Sequence, residues 1–217
     1  LIKSVIKNNS DIGLAFDGDA DRLGVISSSG ELIFPDMQMI LFSEHILKKN
    51  PNSKIVFDVK CSKLLEKAIL NSDGTPIMSK TGHTFIKTLI RKNNAILGGE
   101  MSGHIFFNDR WPGFDDGVYA GARMLEILSS TEERNIFNSL PKLISTPEIN
   151  VDATDEDKFS IIDEFKRMSN FGDGKIIDID GIRVEFDNGW GLIRASNTSP
   201  ALVLRFEADS IETLETI

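Results

Sequence analysis

"PDMQMILFSEHILKKNPNSKIVFDVKCSKLLEKAIL", Pro35 to Leu70, decides the fold class of this chain. Its first part is an apolar helical pattern opened by Pro35-Asp36, with Asp36 as the expected N-cap and lysines at the far end. "KIVFDV" (Lys54–Val59) is a short run of buried-strand type, and "SKLLEKAIL" is an amphipathic helix starting near Ser62. Onward, "TPIMSK" reads as a strand, "TFIKTLIRK" as a helix, "AILGGE" and "HIFF" as strands. "DDGVYAGARMLEILSS" reads as a long helix with Asp115 or Asp116 at its start. Alternation of this kind from Phe34 to Ser130 predicts an α/β layer structure with a mixed, largely parallel sheet.

Upstream, "IGLAF" (Ile12–Phe16) is a buried-strand run, and "LGVIS" is its continuation or hairpin mate. Downstream, Pro141 and Pro147 bracket a linker. A strand follows, then the helical stretch "DEDKFSIIDEFKRMSN" and "KIIDIDGIRVEF" with Asp180-Gly181 as a hairpin turn. The strands "DNGWGLIRAS" and "ALVLRFEAD" and the helical start "SIETLETI" complete a smaller antiparallel α+β unit.

The 217 residues carry 24 Lys and Arg against 33 Asp and Glu, a net charge of -9. That balance argues against a nucleic-acid partner, which needs a basic face. Cys61 is the only cysteine, so no internal disulfide forms and a reducing cytoplasm is the expected location. No apolar run approaches the roughly 20 residues that span a bilayer, so no membrane partner is expected. The start "LIKSVIKNNSD" shows neither an initiator Met nor a signal-peptide pattern, as expected of a piece of a longer protein.

Three stretches carry chemistry. In "DGDADR", Asp17, Asp19 and Asp21 sit at alternate positions, and in an extended loop their carboxylates would face one side. An all-oxygen set suits a hard divalent cation. An EF-hand loop also begins with alternating aspartates, but its sixth and twelfth places hold Arg22 and Ser28 here, not Gly and a carboxylate. In "LGGEMSGHIFF", Glu100, Ser102 and His104 alternate around Met101 and Gly103, a set suited to polyhydroxy ligands. In "RASNTSP", Arg194 offers a planar cationic fork, and the polar turn Ser196–Ser199 after Ala195 offers neutral donors for a phosphate. Lys60 at a strand end, and Lys80 and His83 about a glycine turn, are further polar positions.

Together these loops resemble those of the α-D-phosphohexomutases, most closely the bacterial phosphomannomutase/phosphoglucomutase branch. "DGDADR" is similar to that family's metal loop, "GEMSGH" to its sugar loop and "RASNTSP" to its phosphate loop, in the same order. The resemblance implies a division into residues 1–31 (end of a second domain, with the metal loop), 32–142 (third domain) and 143–217 (fourth domain, cut at its end). It implies Mg²⁺ on Asp17, Asp19 and Asp21, and catalytic roles for Arg22 and His104. Lys60, His83, Glu100, Met101, Ser102, Gly103 and His104 would contact the sugar. Arg194, Ala195, Ser196, Asn197 and Thr198 would hold the phosphate that is not transferred.

The implied reaction interconverts hexose 6-phosphate and hexose 1-phosphate, of mannose or glucose, through a 1,6-bisphosphate. The family's phosphoserine loop has no counterpart here, so N-terminal domains of the same enzyme are expected partners, and the chain alone is expected to be inactive. Phosphoglucosamine mutase is the competing branch, usually with Gln in place of Met101. A dehalogenase-like phosphatase fails because the residues after Asp17 and Asp19 do not fit its nucleophile motif. A non-catalytic sugar-phosphate-binding module is the alternative for the chain alone.

Overall fold

The computed structural model describes residues 1–131 and 136–217. It divides into two compact units, Leu1–Pro141 and Lys142–Ile217. Among the described residues, no helix is long and apolar enough to cross a membrane.

The first unit opens with α1 (Ile2–Asn8), followed by β1 (Ile12–Phe16), β2 (Leu23–Ser27) and β3 (Leu32–Ile33), an antiparallel three-stranded sheet in that order. "LGVIS" is therefore a hairpin mate: Phe16 pairs with Leu23 and Ile12 with Ser27. Next come α2 (Pro35–Leu47), β4 (Lys54–Asp58), α3 (Lys63–Asn71), β5 (Thr75–Ser79), α4 (His83–Asn93), β6 (Leu97–Gly99), β7 (Ile105–Phe107) and α5 (Gly117–Ser129). Here the strands run β5-β4-β6-β7. β4 is parallel to both β5 and β6, and the short β7 returns antiparallel to β6. The alternation of helix and strand thus gives a mixed sheet with a parallel centre, as expected.

Helix α2 explains why both sheets share a core. Met39, Ile40, Leu41, Phe42, Ile46 and Leu47 are all buried, so apolar residues surround the helix instead of forming one stripe. A helix of this kind must be covered on all sides. It packs with Leu23, Val25 and Ile33 of the hairpin sheet and with Leu97, Ile105 and Phe107 of the other. Asp36 does not cap it: Phe34 is the N-cap, and Asp36 lies inside the first turn. Pro35 occupies the first helical position, where its missing N–H costs nothing. Asp36 is buried and accepts from the amides of Met37 at 2.9 Å and Ser62 at 3.0 Å, joining the starts of α2 and α3. Ser62 caps α3 and Asp116 caps α5, accepting from Leu64 N–H and Tyr119 N–H.

The second unit contains β8 (Ile144–Ser145), β9 (Ile149–Asp152), α6 (Lys158–Met168), β10 (Lys175–Ile177), β11 (Ile182–Phe186), β12 (Gly189–Ala195), β13 (Ala201–Ala208) and α7 (Ile211–Thr216). Its sheet is antiparallel in the order β10-β11-β12-β13-β8, with β9 also on β13. Ile162 of α6 packs on Ile182, Val184, Ala195 and Leu202, on one face of that sheet. The β10–β11 connection is longer than an Asp180-Gly181 two-residue turn, because the last pair is Ile177 with Arg183. Gly181 takes the left-handed φ of 76° within it.

Candidate active site in two loop systems

The six residues between β1 and β2 hold the aspartates. They form a turn and not an extended loop: Ala20 N–H donates to the Asp17 carbonyl at 3.2 Å, and Ala20 has φ 60°. That turn, not strand-like alternation, brings carboxylate oxygens of Asp17, Asp19 and Asp21 within 4.8 Å of one another. Arg22 closes the turn, with its amide 3.1 Å from Asp17 Oδ1 and Nε 2.5 Å from Asp17 Oδ2. Burial pushes the Asp17 carboxyl up, but the Arg22 amide, guanidinium and charge together hold it below the usual range. Asp21 goes the other way. Burial, with Asp19, Asp17 and Asp115 as like charges, raises it against the pull of His104. Asp21 Oδ1 is buried without a hydrogen-bond partner. A crowded carboxylate set with an orphaned oxygen fits a hard divalent cation, whose charge would offset that repulsion.

Two contacts attach this turn to the β6–β7 turn. Arg22 and His104 form an antiparallel backbone bridge, and Leu23 N–H donates to the Gly103 carbonyl at 3.3 Å. Gly103 has φ 102°, which only glycine adopts readily. A third contact uses Gly117, whose N–H donates to the Ala20 carbonyl at 3.0 Å. A Cβ there would lie 2.6 Å from the Arg22 carbonyl oxygen, so the aspartate turn reaches the start of α5 only because residue 117 is glycine.

Glu100, Ser102 and His104 lie on a tight turn, in which the Gly103 amide donates to the Glu100 carbonyl at 3.0 Å and the Glu100 amide to the His104 carbonyl at 2.9 Å. Ser102 is exposed, whereas Glu100 is buried and accepts from the Gly82 amide at 2.5 Å. Burial, seconded by the nearby Asp58 charge, raises the Glu100 carboxyl to about 7, although the Gly82 amide and the buried Lys60 oppose this. His104 Nδ1 lies 3.1 Å from Asp115 Oδ2 and 3.4 Å from Asp21 Oδ2. Asp115 also meets Lys87 Nζ at 3.2 Å and His83 Nδ1 at 3.3 Å. Burial opposes ionisation of Asp115, but its own backbone amide, Lys87 and His104 hold the carboxyl below its usual range. The His83 and His104 rings stand 5.7 Å apart. A second oxygen-and-nitrogen cluster, Asp21, His104 and Asp115, therefore adjoins the aspartate set.

Sequence reasoning passed over Asp115 as a ligand-site residue, since it was assigned to helix capping. Asp58 was missed too. It is fully buried at the carboxyl end of β4 and accepts from the Met101 amide, Thr81 Oγ1 and Cys61 Sγ, each at 3.1 Å. Its position two residues before Lys60, at a strand end, was the available signal. Cys61 is buried, as a small apolar residue would be. Lys80 is exposed.

In the second unit, the end of β12 and the β12–β13 connection carry the residues expected to hold a phosphate. Arg194 is 4% exposed, its Nε donates to Asp180 Oδ2 at 2.9 Å, and its Nη2 is buried without a partner. Ala195 ends β12, paired with Leu202. Ser196 Oγ is turned into the loop, accepting from the amides of Thr198 at 3.3 Å and Ser199 at 3.1 Å, with Ser199 Oγ at 2.8 Å. Asn197 and Thr198 are exposed. An unpaired guanidinium nitrogen near a polar turn is the equipment of an anion site.

Residues 34–145 match the family model for phosphoglucomutase/phosphomannomutase, alpha/beta/alpha domain III, and 148–217 match that for the C-terminal domain. The chain is 52% identical over its whole length to a phosphomannomutase/phosphoglucomutase of Pseudomonas putida, of which it covers 47%. It is also 52% identical to a phosphoglucomutase of Neisseria meningitidis, of which it covers 48%. A crystal structure of a phosphoglucomutase/phosphomannomutase family protein from Burkholderia thailandensis superposes with a TM-score of 0.94 at 45% identity. The chain covers 46% of that protein and is itself wholly covered. It thus spans about half the length of the curated relatives it matches. With both units matched in order, the chain belongs to the phosphoglucomutase/phosphomannomutase family.

Proposed function

We propose that this chain supplies the metal, sugar and phosphate loops of a phosphohexomutase acting on mannose and glucose phosphates. The reaction moves a phosphoryl group between O6 and O1 through a hexose 1,6-bisphosphate. The observation that carries the reading is the backbone bridge between Arg22 and His104, which joins the aspartate turn to the Glu100–His104 turn. The relatives' names support the activity class. We divide the chain functionally as 1–31, 32–142 and 143–217, with the reacting phosphoserine supplied by sequence that this chain does not span.

Asp17, Asp19 and Asp21 would hold Mg²⁺, which when bound neutralises charge on a phosphoryl group. Arg22 orders the turn through Asp17 and adds a cation beside it. His104, whose Nδ1 lies beside the Asp115 and Asp21 carboxylates without a hydrogen bond, would offer Nε2 to a ligand. Glu100 changes protonation near neutral pH, so it can accept from or donate to a sugar hydroxyl. Lys60, His83, Met101, Ser102 and Gly103 complete the sugar contacts. Arg194, Ala195, Ser196, Asn197 and Thr198 take the phosphate that stays on the sugar.

Titrating glucose 1-phosphate into the ¹⁵N-labelled chain tests this directly. Saturable shifts at the amides of 100–104 and 196–199 are expected. Saturable binding that leaves both loops unmoved would contradict the assignment.

A further inference from the structure

Lys158, at the start of α6, is buried and is far in sequence from the 196–199 loop, yet it makes the loop's central contact. Its Nζ donates to the carbonyl of Ser196 at 2.7 Å and to that of Ser199 at 3.3 Å. Its other contacts are Asp155 Oδ1 at 2.6 Å, from a carboxylate 75% exposed and therefore screened by water, and the Phe159 ring, whose centroid lies 5.5 Å away. Removing an ammonium from water is costly unless its donors are satisfied. Here two of the three acceptors are backbone oxygens of one short loop.

Resting on the phosphate reading of that loop, we propose that Lys158 is a positioning residue for anion binding. The peptide plane fixes the consequence. With the Ser196 carbonyl drawn onto Lys158, the trans peptide turns the Asn197 N–H to the opposite side. The Ser199–Pro200 peptide has no N–H, so it could present only an oxygen to an anion; that oxygen accepts from the Ala201 amide at 2.9 Å and from Lys158 at 3.3 Å. The Pro200 carbonyl is likewise occupied, by the Ala153 amide at 3.0 Å. Lys158 thus turns the Ser196 carbonyl away from an incoming phosphate, helps the Ala201 amide hold that of Ser199, and places a positive charge behind the loop. Ser196 Oγ gathers the Thr198 and Ser199 amides from within, so lysine and serine together set the loop's shape.

The test is titration of inorganic phosphate into the 217-residue chain, followed at the amides of 196–199, with chloride at matched ionic strength as control. In the unsubstituted chain these amides shift saturably. K158M weakens phosphate about tenfold or more, the scale of a charge-assisted contact, with amides remote from the loop and the start of α6 unchanged. K158R recovers most of the affinity. D155N frees Lys158 from its carboxylate partner and tightens phosphate about two- to fourfold, clearly more than E156Q, which removes an equal exposed charge one residue further on and so reads direct repulsion alone. If K158M does not fold, D155N decides: unchanged or weaker binding, or a gain no greater than that of E156Q, overturns the assignment. Folded K158M with unaltered affinity overturns it alone, leaving the phosphate reading intact. No response in the unsubstituted chain overturns both.

Discussion

Asp115 Oδ2 lies 3.1 Å from His104 Nδ1, although β7 and the loop after it separate the two residues in sequence. The same carboxylate meets His83 and Lys87 of α4, so one half-buried acid ties the β6–β7 turn to the start of that helix. Hydrogen bonds to charged groups contribute about 1.5–3 kcal/mol each. Asp115→Asn should therefore lower the unfolding free energy by about 1–3 kcal/mol in denaturant titration. An unchanged midpoint would show that the cluster does not hold the loops together.

The aspartate turn should show opposite signs for folding and for metal. Asp21 is raised by burial and neighbouring acids, so Asp21→Asn relieves repulsion and should stabilise the metal-free chain slightly, by under about 1 kcal/mol. The same change should weaken Mn²⁺ binding, read by water-proton relaxation, about tenfold or more, because a charged ligand is lost. Weaker folding with unaltered Mn²⁺ affinity would place the cation elsewhere.

Glu100 makes stability depend on pH. Its folded carboxyl titrates at about 7, against 4.5 for its ordinary value. Between those values the folded chain binds more protons than the unfolded one, so this contribution falls as pH rises from about 4.5 to about 7. The expected loss is about 3 kcal/mol from this group. Glu100→Gln should flatten that part of the profile and be the more stable protein at pH 8. A profile unchanged by the substitution would contradict the buried, proton-retaining carboxyl.

On the proposed reading, sugar choice depends on which hydroxyls the Glu100–His104 turn meets. If Glu100 and Ser102 bond the 3- and 4-hydroxyls, the complete enzyme meets groups that glucose and mannose share. Glu100→Ala should then lower kcat/KM about 10- to 150-fold for both 1-phosphates alike. Steady-state kinetics with each sugar checks this; a loss confined to one epimer would show that Glu100 reads C2.

The α/β order from α2 to α5 was legible because period and length separate its helices from its strands, and Ser62 and Asp116 mark two helix starts. The aspartate cluster stands out in the sequence as a run of candidate ligands, but its geometry does not. Nothing local says that Ala20 adopts a left-handed φ, or that Gly117 lets α5 approach. Asp58, Asp115 and Lys158 were illegible for a different reason: their partners lie across loops that only the fold assembles. Asp36 shows the converse, a residue with capping chemistry whose acceptor capacity is drawn to the Ser62 amide. Arg194 and Ser196 stand out in the sequence as candidates to hold a phosphate, but their inward bonds to Asp180 and to the loop amides do not.

The central claim is that this chain is the ligand-holding half of a hexose phosphate mutase. The most direct measurement joins it to the N-terminal portion of the Pseudomonas putida relative that it does not span, and follows conversion of glucose 1-phosphate to glucose 6-phosphate with Mg²⁺. The account predicts steady turnover by the joined protein, none by the 217-residue chain alone, and a large loss of kcat in the joined Asp19→Asn variant. A folded joined protein that binds glucose 1-phosphate without converting it, or turnover by the chain alone, would contradict the account.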